Sequence, residues 1–164
     1  MTVSGALLMA TETMIVDASA ETDGILRLFG GKAADTLKGG AMNDLLHGNL
    51  GADQLTGGGG ADVFRYHNVA ESNGGPLDTI LDFTPGTDKI DLSRIDANSQ
   101  AGGDQAFTWI GSNAFSGTAG QLRAYENGGS WFVEGDTDGN GSADFAVMLT
   151  LVGPTPISAG DFLL

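Results

Sequence analysis

Residues 30–65 divide into four consecutive nonapeptides, GGKAADTLK, GGAMNDLLH, GNLGADQLT and GGGGADVFR. Gly opens each unit (Gly30, Gly39, Gly48, Gly57), Asp holds the sixth place (Asp35, Asp44, Asp53, Asp62), and a large apolar residue holds the eighth (Leu37, Leu46, Leu55, Phe64). A flexible Gly-rich linker places nothing at a fixed period, so this pattern demands stacked coils. The Gly-rich first six residues supply turns with positive φ. The last three form a short strand whose middle side chain points inward. If one unit is half a coil, equivalent residues two units apart stack at about 4.8 Å, the spacing of paired strands. Asp35 then lies over Asp53, and Asp44 over Asp62. Like charges so close repel unless a cation lies between them. Carboxylate and carbonyl oxygens suit a hard divalent ion, and calcium accepts an irregular oxygen cage more readily than magnesium.

The departures from the repeat carry expectations of their own. The preceding nonapeptide, ETDGILRLF (21–29), keeps Gly24 and Leu28 but has Leu26 where Asp belongs, which reads as an end cap. Ala33 and Met42 stand in fourth places that favour Gly, and Asn49 in a second place. Asn tolerates positive φ, whereas Ala and Met pay roughly 1 kcal/mol or more for it, so the first two turns should be distorted or bind more weakly. The stretch MTVSGALLMATETMIVDASA resembles a secretory leader only superficially. It lacks a basic start and its apolar run is broken by Thr11, Glu12 and Thr13, so no cleavable leader is expected. The organisation expected is an N-terminal segment with a capping strand (1–20), a roll (21–66) and a C-terminal part (67–164), all in one continuous domain.

Composition agrees with this reading. The 164 residues carry 21 acidic and 7 basic side chains, a formal charge of −14, and 16 of the acids are Asp. Asp favours turns and caps where Glu favours helices, so the excess argues for loops. A negative chain of this size repels phosphate, which argues against nucleic acid as a partner. Hydrophobic residues make up 41% and charged ones only 17%, enough apolar material for a core. Cys is absent, which excludes disulfides and thiolate chemistry. No apolar run is long enough to span a membrane as a helix.

After residue 66 the period ends. Strand-like runs follow at Asp78–Phe83, Lys89–Leu92, Ala106–Ile110, Gln121–Glu126, Ser130–Glu134 and Ala143–Val152, expected to form an antiparallel sheet at the end of the roll. Asn127-Gly128-Gly129 and residues 136–142 read as hairpin turns, and Ser93–Asn98 as a single helical turn capped by Ser93. Asp136, Asp138, Asn140 and Asp144 match the first half of an EF-hand loop. The twelfth place is Val147 and neither flank looks helical, which leaves an Asx-rich turn or a weak calcium site. Asp78 with Asp82, and Asp88 with Asp91, read as ligands or turn residues rather than acid–base pairs. His47 and His67 read as outward-facing and idle. Trp109, Tyr125, Trp131 and Phe132 fall on strands, as core or as a sugar-binding face.

The repeat resembles the calcium-binding nonapeptide G-G-x-G-x-D-x-U-x of RTX proteins. The run GGGGADVFRYHNVAESNGGPLDTILDFTPGTDKIDL (57–92), the later GDTDGNGSADFAVMLTLVG (135–153) and the final Asp161-Phe162-Leu163-Leu164 resemble the C-terminal domain of serralysin-type metalloproteases. The R-modules of mannuronan C5-epimerases are similar. The resemblance implies an all-β fold, a parallel β-roll followed by an antiparallel β-sandwich-like part. It further implies that Asp35, Asp44, Asp53 and Asp62 bridge calcium ions with backbone carbonyls of the turns opened by Gly30, Gly39, Gly48 and Gly57. A further site would gather Asp62, Glu71 and Asp78. The terminal Asp161, Phe162, Leu163 and Leu164 would be the address read by a type I ABC exporter, which makes the protein extracellular. The H-E-x-x-H zinc motif of a protease is missing, so no enzymatic activity is expected. Two functions stand side by side: a calcium-binding and secretion module, whether alone or as the end of a larger exoprotein, and a module that binds acidic polysaccharide. The second needs a basic face, for which Lys38 and Arg65 are candidates beside His47 and Thr56.

Overall fold

A computed structural model describes residues 1–75 and 77–164. Strands β1 (Thr2–Ser4), β2 (Ile15–Asp17), β3 (Arg27–Phe29), β4 (Thr36–Lys38), β5 (Leu45–His47), β6 (Gln54–Thr56), β7 (Val63–Arg65), β8 (Thr79–Phe83) and β9 (Lys89–Asp91) wind as a parallel β-roll. Odd strands enter one sheet and even strands the other. Each nonapeptide is therefore half a coil, and equivalent residues two units apart pair directly: Leu37 with Leu55, and Leu46 with Phe64. Two three-residue 3-10 turns, Val69–Glu71 and Ala159–Asp161, are the only helical pieces among the described residues. The run Ser93–Asn98 does not form a helical turn; Ser93 instead donates its N–H and its hydroxyl to Asp91 Oδ1.

The parallel winding extends on both sides of residues 21–66. At the N-terminal end, β1 pairs with β3 and β2 with β4. At the other end, the runs expected in an antiparallel sheet at 78–83 and 89–92 are parallel roll strands. β8 aligns Ile80 with Leu55, and β9 aligns Ile90 with Phe64. The segment between Arg65 and Thr79 is an insertion after which the chain rejoins the stack. Among the described residues only β11 (Gln121–Asn127), β12 (Ser130–Asp136) and β13 (Phe145–Leu151) pair antiparallel, and β13 joins this unit to β8 in parallel. The short β10 (Thr108–Trp109) flanks β11, and the final β14 (Phe162–Leu163) closes the odd sheet against β9. Gly128 and Gly129, with φ of 64° and 88°, form the two-residue turn between β11 and β12.

The eighth-place residues form the core. Leu28, Leu46, Phe64, Ile90 and Phe162 stack from the odd sheet, and Leu37, Leu55, Ile80 and Leu149 from the even sheet, all buried. Full burial of each such side chain contributes about 1.5–3 kcal/mol. The stack leaves no room for a side chain at the repeat's first place. A Cβ on Gly30 would collide with the Gly48 carbonyl oxygen, and one on Gly39 with that of Gly57. The fourth places divide: Gly51 and Gly60 have φ of 135° and 102°, whereas Ala33 and Met42 avoid the left-handed region. The first two turns thus escape the expected strain by adopting a different backbone, while Asn49 does take positive φ, at 67°.

Candidate metal centre

The turns that join the two sheets set the repeat's carboxylates in two columns. In one, the Asp35 N–H donates to Asp53 Oδ1 at 2.7 Å, and the Asp53 N–H to Asp78 Oδ1 at 2.8 Å. In the other, the Asp44 N–H donates to Asp62 Oδ1 at 2.8 Å, and the Asp62 N–H to Asp88 Oδ1 at 3.0 Å. All six of these Asp are buried. Asp35 and Asp44 also use Oδ2 to accept the N–H groups of Gly31 and Gly40.

Glu71 and Asp78 do not meet Asp62, contrary to expectation. The insertion after Arg65 moves the third carboxylate of each column off the nine-residue period. Asp78 continues the Asp35–Asp53 column at a separation of 25 residues, and Asp88 continues the Asp44–Asp62 column at 26. Glu71 belongs with Asp53 and Asp78, and its charge disfavours the ionised form of both. Asp82 and Asp88, which the sequence reads as ligands or turn residues, serve the other column. Asp82 accepts the N–H groups of Gly57 and Gly58 at 2.9 and 2.8 Å.

The columns hold more negative charge than the protein's own groups compensate. Burial pushes the Asp78 carboxyl up to about 8, with Asp53 and Glu71 adding repulsion. Burial also pushes Asp62 up to about 7, reinforced by Asp88, Asp44 and Asp82, and Asp53 up to about 6, reinforced by Asp35 and Glu71. Asp53 Oδ2 and Asp78 Oδ2 are buried without a well-aligned hydrogen bond, and the Tyr66 hydroxyl, likewise without one, lies near enough to Asp78 to favour its ionised form. Buried carboxylate oxygens without a hydrogen bond are donors that a divalent cation with oxygen ligands takes, although the oxygens of Asp53, Glu71 and Asp78 do not all lie within 4.8 Å of one another. Among the first-place carbonyls, that of Gly30 accepts from Asn49 Nδ2 at 2.8 Å. Those of Gly48 and Gly57 face the preceding coil at Gly30 and Gly39.

Asp136, Asp138 and Asp144 also come together, each with an oxygen within 4.8 Å of the others, in the turn between β12 and β13. Their oxygens are used internally. Asp136 accepts from Gly139 and Gly141, Asp144 from Thr137 and Asp138, and Asp138 from both nitrogens of Asn140.

Contrary to expectation, His47 and His67 do not face outward. His47 is 3% exposed, and its Nε2 lies 2.9 Å from Glu71 Oε2, because the inserted Val69–Glu71 turn covers this end of β5. Its ring meets that of His67 edge-on at 4.4 Å. Burial and His47 hold the His67 imidazole below the usual histidine range. Nor do the ninth places form one basic face. Lys38 pairs with Thr56 in the even sheet, while His47 and Arg65 lie in the odd sheet, where Arg65 donates to Asp91 at 2.8 Å. Trp109 and Trp131 pack against the core, and Tyr125 stacks on Phe132 with ring centres 5.7 Å apart.

The terminal residues are part of the fold. Asp161 is buried, accepting the Gly86 N–H at 2.6 Å and the Ser158 N–H at 2.7 Å. Phe162 aligns with Ile90 and packs on Trp109 at 5.1 Å, whereas Leu163 and Leu164 are exposed.

Known proteins share this architecture and this sequence. The fold resembles the solution structures of two subunits of the Azotobacter vinelandii mannuronan C5-epimerase. AlgE6R3 aligns with a TM-score of 0.62 and 27% identity, over 96% of this chain and 81% of that one. AlgE6R2 aligns with 0.61 and 29%, over 99% and 90%. The metalloprotease AprA of Pseudomonas entomophila (strain L48) is 44% identical over 99 residues, 58% of this chain but only 19% of that protein's length. The chain therefore spans a minor part of the curated relative it matches. The family model described as peptidase M10 serralysin C terminal matches residues 14–164, and the chain belongs to that family.

Proposed function

We propose that the chain is a non-catalytic calcium-binding module, exported by a type I ABC exporter and folded outside the cell as calcium binds. The carrying observation is the pair of buried carboxylate oxygens on Asp53 and Asp78 that lack a well-aligned hydrogen bond while Glu71 adds its charge to both groups. Calcium is held by Asp53, Glu71 and Asp78 at one end of the roll, and by Asp35, Asp44, Asp62 and Asp88 along the two columns, with the turn carbonyls opened by Gly30, Gly39, Gly48 and Gly57. The turn of Asp136, Asp138, Asn140 and Asp144 is a weaker site of the same kind. Extracellular-type sites have dissociation constants of about 10⁻⁴ M. At roughly 10⁻³ M calcium each such site stabilises the fold by about 1.4 kcal/mol, and at roughly 10⁻⁷ M by nothing. The chain then stays unfolded through the exporter and folds once it emerges. Because Asp161 and Phe162 are packed into the folded protein, Asp161–Leu164 is readable as an address only before folding.

Calorimetric titration of calcium into the chelator-treated chain tests the binding. Several equivalents should bind with release of protons, and Asp53→Asn/Asp78→Asn should lose at least one. A chain that takes up no calcium overturns the proposal. Export is tested separately, by removing Asp161–Leu164 in a host with a type I exporter.

A second reading, recognition of an acidic polysaccharide, draws on the likeness to the epimerase subunits and on Arg123. The Arg123 guanidinium lies over the Phe115 and Tyr125 rings at 4.5 and 4.8 Å, beside the stacked Phe132. Glu134 neutralises that cation at 2.7 Å, which weighs against an anionic ligand. Calorimetry with alginate oligomers in calcium decides, and the absence of heat leaves the first reading alone.

A further inference from the structure

We propose that His47, His67 and Glu71 form a second metal site, one that takes zinc or a similar first-row transition ion rather than calcium. Each of the three offers a ligand atom, and these atoms lie within 4.8 Å of one another. Two imidazole nitrogens and one carboxylate oxygen are a donor set for zinc, whereas calcium calls for oxygen throughout. Tetrahedral zinc bonds of about 2.0–2.2 Å set neighbouring donors about 3.3 Å apart. His47 Nε2 and Glu71 Oε2 already stand 2.9 Å apart, so closing the site falls mainly to His67.

Three observations support it. His67 Nε2 is a buried nitrogen with no hydrogen-bond partner, an arrangement that native interiors rarely leave unused. Glu71 is fixed as a metal ligand usually is, because the backbone N–H of His67 donates to its Oε2 at 2.9 Å. His67 is also half-buried at the wall of a groove of about 260 Å³, lined also by Asn68, Arg94, Asp96 and Thr137, so its side chain is reached from solvent. The nearby Arg65 is held by Asp91. Only Oε2 of Glu71 is engaged among the described residues, which leaves Oε1 for an ion beside Asp53 and Asp78. Ligation through His47 Nε2 requires that any proton carried there move to Nδ1 or leave to solvent.

The site does not rest on the calcium reading. Zinc chloride is titrated into the full chain in millimolar calcium while the imidazole resonances of both histidines are followed by NMR. A parallel titration with cobalt(II) reads the visible spectrum. Both histidines should shift together and saturate at one equivalent of zinc, and cobalt should give intense tetrahedral bands. His67→Gln, with its fold checked by circular dichroism, should lower zinc affinity at least tenfold. Imidazoles that stay unshifted in excess zinc, or a shift of His67 alone, would overturn the site. So would a folded His67→Gln chain that binds zinc as tightly as the parent.

Discussion

Gly39 shows how little freedom a single place in the repeat has. A Cβ there would run into the Gly57 carbonyl oxygen and the buried Asp44 carboxylate, which the Gly40 N–H holds in place. Gly39→Ala should destabilise the calcium-bound protein by about 1–3 kcal/mol in urea denaturation. Gly102→Ala, with open space around it, should change stability by no more than about 0.5 kcal/mol. The buried carboxylates yield a pH prediction. Asp53, Asp62 and Asp78 have folded-state values near 6, 7 and 8, all raised from 3.8 by burial first. Between the unfolded and folded values the folded state binds more protons, so stability falls as pH rises. Their protonation supports the calcium-free fold below about pH 4, and that support is lost progressively up to about pH 8. Circular dichroism in chelator should therefore show more β structure at pH 5 than at pH 8. The placement of Asp35 over Asp53 was legible because both sit on the period. The partnership of Asp53 with Asp78, and of Asp62 with Asp88, was not, because an insertion of unpredictable length stretches the spacing from 18 to 25 and 26 residues. His47 was misread for the same reason: strand alternation says which side of the sheet it occupies, not that the inserted turn will cover that side with Glu71.

At the scale of elements, the even and odd strands are too short to stand alone, and each is held by the coils above and below it. Hydrophobic periodicity located nearly every strand but not the direction of pairing in β8 and β9. A run such as TILDF (79–83) has the same alternation in a parallel or an antiparallel partner, and only the stacking of Ile80 on Leu55 distinguishes them. The last element illustrates the same dependence. β14 contributes only two residues, yet it covers the edge of β9, buries Phe162 against Trp109 and places Asp161 on the Gly86 N–H. Phe162→Ala should cost about 3 kcal/mol. Deleting Phe162–Leu164 removes β14 altogether, and the β9 edge it uncovers should favour self-association, visible as a concentration-dependent light-scattering signal.

The molecule as a whole combines a formal charge of −14 with two columns of buried carboxylates, so its calcium-free fold works against its own electrostatics. Sodium chloride screens the exposed part of that charge within about 10 Å at 0.1 M, but buried carboxylates are screened far less. Monovalent salt should therefore restore little of the structure lost on chelation. On the proposed reading, several calcium sites acting together would supply enough to decide the folding of a domain with ordinary marginal stability. The most direct measurement is far-ultraviolet circular dichroism at pH 7.5 as calcium is titrated into the chelator-treated chain. A largely unfolded spectrum that turns cooperatively into a β spectrum between micromolar and millimolar calcium is the result predicted here. A native β spectrum that persists unchanged in excess chelator contradicts it.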